Sequence, residues 1–107
     1  MLAIAMPSII LLVAGATNSF ATEPESAFRG RRIAEANCAI CHTIAQVDQS
    51  ENPQAPPFRR LLRLASYRDL RLDLAGPLFL RHPAMPDFKP TREQVHDIVE
   101  YIESIQE

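Results

Sequence analysis

A five-residue motif, Cys38-Ala39-Ile40-Cys41-His42, constrains the fold of this chain more than any other feature of its sequence. Two cysteines three positions apart, followed at once by histidine, form the pattern of a c-type haem attachment site. The two thiols would bond covalently to the vinyl groups of one haem, and the histidine would bind its iron. A chain with this motif is expected to fold around a large apolar macrocycle as well as around its own side chains.

The two cysteines also admit three other interpretations. A zinc site would normally need four Cys or His ligands, and the remaining histidines, His82 and His96, form no second ligand pair of recognisable spacing. A thioredoxin-like dithiol needs a βαβ surround, and no segment has the pattern of a strand. A disulfide between Cys38 and Cys41 is the third alternative, and it would suit an exported protein. Haem attachment is the interpretation that uses both cysteines and the adjacent histidine.

The first 21 residues carry no charged side chain, which sets them apart from the rest of the chain. Small residues follow an apolar run, and residues 19–21 fit the cleavage pattern of a signal peptide. We predict a cleavable signal peptide over 1–21, with a cut after Ala16 as the alternative, and one mature domain over 22–107. The usual basic start of a signal peptide is missing, which puts Met1 as the true start in question. An uncleaved N-terminal anchor is the second interpretation of this segment. Export to the periplasm agrees with the motif, because bacteria attach haem c outside the cytoplasmic membrane.

Helical patterns account for most of the mature domain. Apolar residues recur at helical spacing in several segments that turn-forming residues separate. We predict helices over 23–37, 58–65 and 67–75, and a final helix that Thr91 caps, with irregular structure over 43–57 and 78–90. The expected fold is all-α, with three to four helices around one covalently bound haem.

The second axial ligand of an iron bound by His42 is expected from the C-terminal half of the chain. Met85 lies in a proline-braced loop, residues 81–86, and such a loop can hold a thioether against iron without the constraints of a helix. A Met/His pair is a known haem ligation, whereas the ordinary role of methionine is to fill a core. His82 in the same loop is the rival ligand. His96 lies off the apolar stripe of the last helix and fits a surface residue.

From about Ala27 to its end the chain resembles the class I c-type cytochromes, in their small bacterial monohaem form. In chain order, the resemblance is carried by Gly30, Ile33, Ala34, the motif at 38–42, Ala55-Pro56-Pro57-Phe58, His82-Pro83-Ala84-Met85-Pro86, and Val95, Ile98, Val99, Tyr101 and Ile102. The resemblance implies the cytochrome c fold, with Gly30 at a close crossing of the first and last helices. It also implies that the carbonyl of Pro56 accepts the proton of the second ring nitrogen of His42, which fixes the ring and raises its basicity.

The resemblance further implies electron transfer, with the iron cycling between Fe(II) and Fe(III) while protein side chains fill both axial positions. The expected cofactor is one haem c, attached through Cys38 and Cys41. The expected cofactor-binding residues are Cys38, Cys41, His42, Met85 and Pro56, of which His42 and Met85 bind the iron. No catalytic residue is expected, since an electron carrier is not an enzyme. The alternatives are a haem c subunit of a larger periplasmic oxidoreductase and a five-coordinate haem protein that binds gas or reduces peroxide.

The charge balance bears on the partners of the chain. Its 107 residues carry a formal net charge of −2, which is close to neutral and gives no reason to expect a nucleic-acid partner. We expect a monomer whose partners are a redox donor and a redox acceptor protein. We expect no stable membrane insertion once the signal peptide has been removed.

Overall fold

The computed structural model describes residues 2–12, 15 and 23–107. Those residues form α-helices, one 3-10 turn and loops, without a β-strand among them, so the prediction of an all-α fold is confirmed. The elements are α1 (Glu25–Asn37), the 3-10 turn (Phe58–Arg60), α2 (Leu61–Leu64), α3 (Tyr67–Leu74), α4 (Pro77–Arg81) and α5 (Arg92–Ser104).

The N-terminal segment is described only in part. Residues 2–12 are exposed and lie outside any helix. Both expected cleavage positions, after Ala16 and after Ala21, fall outside the described residues, so the signal peptide stays a prediction. Across the described ranges, no helix combines the length and the apolar character needed to cross a membrane.

Side-chain caps determine where two of the predicted helices begin. The hydroxyl of Ser66 accepts a hydrogen bond from the N–H of Asp69 at 3.1 Å, which starts α3. Thr91 and Gln94 form a reciprocal capping box at the start of α5, with bonds of 3.1 and 2.9 Å. Each such cap satisfies backbone donors that have no partner inside the helix and contributes about 1 kcal/mol.

The prediction of irregular structure over 78–90 is wrong in its first part, because α4 lies there. Gly76 ends α3 as expected, and its φ of 157° is a conformation that glycine adopts more easily than other residues. Pro77 then occupies the first turn of α4, where its missing N–H has no partner to lose. The predicted helix over 58–65 is also divided, into the 3-10 turn and α2. The described residues therefore place five α-helices along the chain, of which α2 and α4 are only four and five residues long.

Helices α1 and α5 cross at Gly30 with no room for a side chain. A Cβ atom at this position would lie 1.8 Å from the carbonyl oxygen of Asp97. Beside the crossing, Arg29 makes a bidentate ion pair with the carboxylate of Asp97 at 2.9 and 3.2 Å, and Asp97 is only 3% exposed. The core around the crossing contains Ala27, Ala34, Val95, Ile98, Val99, Tyr101 and Ile102.

We expect Gly30→Ala to lower the free energy of unfolding by about 3 kcal/mol, because a backbone carbonyl cannot move aside without separating α1 from α5. At an exposed helix position the same change would stabilise the protein by about 1 kcal/mol. Thermal or denaturant unfolding of the holoprotein measures the difference. Ala36→Gly, at an exposed position of α1, is the matched control and should cost about 1 kcal/mol. A Gly30→Ala variant as stable as the parent would contradict the close crossing.

Candidate functional site

The Cys38–His42 segment forms one further turn at the end of α1. The N–H of Cys38 donates to the carbonyl of Ala34 at 2.8 Å, which continues the helical pattern by one residue. The N–H groups of Cys41 and His42 then donate to the carbonyl of Cys38 at 3.2 and 2.9 Å. This turn brings both thiols and the imidazole to the wall of one cavity.

The cavity has a volume of about 420 Å³ and a mainly apolar lining. Cofactor and ligand sites in proteins typically have volumes of about 300–1,000 Å³ and similar walls. The apolar lining of the cavity in this chain includes Leu61, Leu70, Leu74, Phe79, Ile98 and Ile102. An apolar site of this size, with two thiols and an imidazole in its wall, fits a covalently attached haem.

The imidazole of His42 is buried and held in one orientation. The residue is 8% exposed, and its Nδ1 lies 2.7 Å from the carbonyl oxygen of Pro56. A carbonyl can only accept a hydrogen bond, so Nδ1 carries a proton, and in the neutral imidazole the free lone pair is then on Nε2. The ring of Phe58 packs on the imidazole, with 5.4 Å between the ring centroids. The ring is therefore held in an orientation in which Nε2 could bind a metal.

Hydrogen bonds close the loop that brings Pro56 back to His42. The N–H of Phe58 donates to the carbonyl of Thr43 at 3.0 Å, which joins the two ends of the loop. From α5, the hydroxyl of Tyr101 donates to the carbonyl of Ile44. The loop is thereby tied both to itself and to the last helix.

Both rival candidates for the second axial ligand line the same cavity as His42. Met85 is half-buried and packs against the hydrophobic core, whereas His82 is exposed. The N–H of Met85 donates to the carbonyl of His82 at 2.9 Å, so the two residues are joined by one turn. His96 is not among the cavity-lining residues. Burial therefore favours Met85 over His82.

Cys38 differs from the attacking cysteine of a redox dithiol. Burial raises the pKa of the Cys38 thiol to about 11, so this thiol stays protonated at neutral pH. The attacking thiol of a redox dithiol has a lowered pKa instead. No disulfide joins Cys38 to Cys41. Within the ranges that the structure describes, no cluster of three or more His, Cys, Asp and Glu side chains could hold a metal ion.

A charged pair in the cavity wall was not predicted from the sequence. Arg81, at the end of α4, lies 2.8 Å from the carboxylate of Asp73 in α3, and both residues line the cavity. The pair joins two helices that follow each other in the chain. Arg81 falls in the segment that was predicted to be irregular, so no helical face could be assigned to it.

Comparison with known proteins decides the family. Residues 27–106 match the family model described as Cytochrome c. The chain belongs to the cytochrome c family. A relative, cytochrome c-552 of Bradyrhizobium diazoefficiens, is 31% identical over 97 residues, which cover 91% of this chain and 91% of the relative. No solved structure gives a significant match to the chain.

Family membership establishes the cofactor and the functional class. This cytochrome carries covalently bound haem c, and Cys38 and Cys41 fit the attachment motif. It is a small class I c-type cytochrome with the all-α fold of that family, and its functional class is electron transport. Haem attachment therefore replaces the zinc, dithiol and disulfide interpretations.

We expect the double variant Cys38→Ala/Cys41→Ala to lose covalently attached haem, because no other residue of the chain can form a thioether to it. Haem staining after denaturing electrophoresis, together with the mass of the purified chain, measures the attachment. Ile40→Ala is the matched control, because Ile40 lies between the cysteines and is exposed, and this variant should keep the haem. Haem that stays bound to the double variant under denaturing conditions would contradict the assignment.

Proposed function

We propose that this cytochrome is an exported electron carrier whose iron is bound by His42 and Met85. The observation that carries the proposal is that one apolar cavity is lined by an oriented imidazole and a half-buried thioether. When bound, haem supplies a one-electron Fe(II)/Fe(III) couple at this site. Since both axial positions would be filled by side chains, no position would be open to a substrate, which suits a carrier and not an enzyme.

The groups around the iron would have opposite effects on its reduction potential. The hydrogen bond from Nδ1 of His42 to the carbonyl of Pro56 makes the imidazole a stronger donor, which favours Fe(III). A thioether from Met85 and an apolar surround favour Fe(II) and raise the potential. The potential of this cytochrome would therefore depend on residues from both halves of the chain.

The rim of the cavity supplies a surface on which a redox partner could dock. Ile40, between the two cysteines, is 78% exposed, and Leu64 of α2 is 68% exposed, although both line the cavity. Electrons would enter and leave beside these residues. Transient redox encounters typically use a small contact area. We therefore propose that this cytochrome works as a monomer that meets its donor and acceptor in turn.

We expect Met85→Ala to abolish the weak far-red absorption band that methionine ligation gives to ferric haem c, and to lower the reduction potential. The physical reason is that the thioether favours Fe(II), and its loss leaves the iron to a harder ligand or to none. Spectroelectrochemical titration of the holoprotein measures the band and the potential together.

His82→Ala is the matched control, because His82 lines the same cavity one turn before Met85. This variant should keep both the band and the potential. If the parent protein lacks the band and binds carbon monoxide readily, a five-coordinate haem replaces the carrier proposal. If the parent lacks the band and only His82→Ala changes the potential, His82 is the second ligand instead.

We propose that residues 1–21 are a signal peptide and that the mature cytochrome, residues 22–107, is periplasmic. The uncharged start of the chain and the small residues at 19–21 support this proposal. Intact-mass measurement of the purified holoprotein should give a chain that begins at Thr22, or at Thr17 if the cut follows Ala16. A chain that keeps its N-terminal residues would support a membrane anchor instead.

A further inference from the structure

The amide of Gln106, two residues after α5, is inserted into the backbone of another segment. Its Nε2 donates to the carbonyl of Phe58 at 2.7 Å, and its Oε1 accepts from the N–H of Leu62 at 3.1 Å. The same Nε2 also donates to the carbonyl of Ile102 at 2.7 Å, which anchors the side chain to its own helix. Two carbonyls face the nitrogen and an N–H faces the oxygen, so only this orientation of the amide satisfies all three groups.

This inserted amide replaces a backbone hydrogen bond. In a continuous α-helix the N–H of Leu62 would donate to the carbonyl of Phe58, four residues earlier. Here the 3-10 turn passes into α2 between these residues, and the N–H of Leu61 takes the carbonyl of Phe58 instead. Without Gln106, the half-buried N–H of Leu62 would lose the partner that the structure gives it.

The segment that Gln106 holds is the one that orients His42. Phe58 is 4% exposed, and its ring packs on the imidazole. Its N–H is bound to Thr43, the residue after His42, and its carbonyl is bound to Gln106. Pro56, whose carbonyl accepts the Nδ1 proton, is only two residues earlier. A shift of the Phe58 backbone would therefore move the carbonyl of Pro56 relative to the imidazole of His42.

Glu107 reinforces the same junction. Its N–H donates to the carbonyl of Arg59 at 3.2 Å, and its carboxylate lies 3.2 Å from Nε of that residue. Arg59 is buried, although it carries a guanidinium group. Gln106 and Glu107 together bind three backbone groups of the 3-10 turn and α2, namely the carbonyls of Phe58 and Arg59 and the N–H of Leu62, so the end of α5 is fixed to this segment.

We propose that Gln106 is a positioning residue for His42, which it controls by holding Phe58 and, through it, the carbonyl of Pro56. Gln106 is not among the residues that line the cavity, so it acts through the backbone and not by contact with the cofactor. This inference rests on the proposed role of His42 as an iron ligand. It adds a residue from the far end of the chain to the control of the imidazole.

Hydrogen exchange in the ferrous holoprotein tests this role. Gln106→Met keeps the length of the side chain but removes both donor and acceptor. We expect the Leu62 amide proton and the Nδ1 proton of His42 both to exchange with solvent about tenfold faster or more, as followed by NMR. Faster exchange at Leu62 with unchanged exchange at His42 would overturn the proposal, and so would unchanged exchange at Leu62.

Gln94→Met is the matched control, because it makes the same substitution at the other end of α5 and breaks the capping box there. It should lower stability while leaving the Nδ1 exchange of His42 unchanged. If the Nδ1 proton of His42 exchanged equally faster in both variants, Gln106 would be only a general stabilising residue, and the proposal would be overturned. The parent protein gives an independent test, since the protons of Leu62 and His42 should share one opening event and one dependence on denaturant. Different dependences would overturn it.

The second axial ligand of the iron is identified by optical absorption, independently of the hydrogen-exchange measurements. Absence of the far-red band in the parent would refute Met85 as a ligand, whereas the Nδ1 proton reports only on the hydrogen bond between His42 and Pro56. Failure of the proposed carrier function and failure of the role of Gln106 therefore give different results.

Discussion

The crossing of α1 and α5 at Gly30 is the contact on which the haem site depends. Helix α1 ends in the attachment turn, whereas α5 supplies Tyr101, which holds the loop after that turn. The two helices come close enough for this only because Gly30 lets the carbonyl of Asp97 approach the backbone of α1. The ion pair between Arg29 and the buried carboxylate of Asp97 fixes the same crossing with charged hydrogen bonds, so the register of the helices is set by polar contacts as well as by apolar burial.

The core of this small domain and the wall of its haem cavity share side chains. Ile98, Val99 and Ile102 are the largest fully buried side chains, and all three belong to α5. Ile98 and Ile102 also line the cavity. A domain of this size buries a limited core of its own, so a macrocycle held in this cavity would add to the apolar core that Ile98 and Ile102 belong to.

The parts of the fold and of the site that depend on a local pattern or on the chemical identity of a residue could be predicted from the sequence. The periodicity of α5, the caps at Ser66 and Thr91 and the haem motif are of this kind, because neighbouring residues determine them. Helix α4 escapes prediction because proline usually interrupts a helix, whereas Pro77 lies in the first turn of this one. The bridge from Gln106 to Phe58 gave no signal, since it joins residues 48 positions apart and a polar residue after a helix is ordinary.

The two sides of the proposed iron site differ in how firmly the protein holds them. On the side of His42, the carbonyl of Pro56, the ring of Phe58 and the amide of Gln106 form a chain of contacts that ends on α5. On the side of Met85, the restraints are the hydrogen bond from its N–H to the carbonyl of His82 and its packing against the core. An electron carrier works best when its iron site rearranges little between the two oxidation states. A rigidly held imidazole would limit that rearrangement. A change of ligand would therefore require less disruption of the structure at Met85 than at His42, because fewer contacts have to break there.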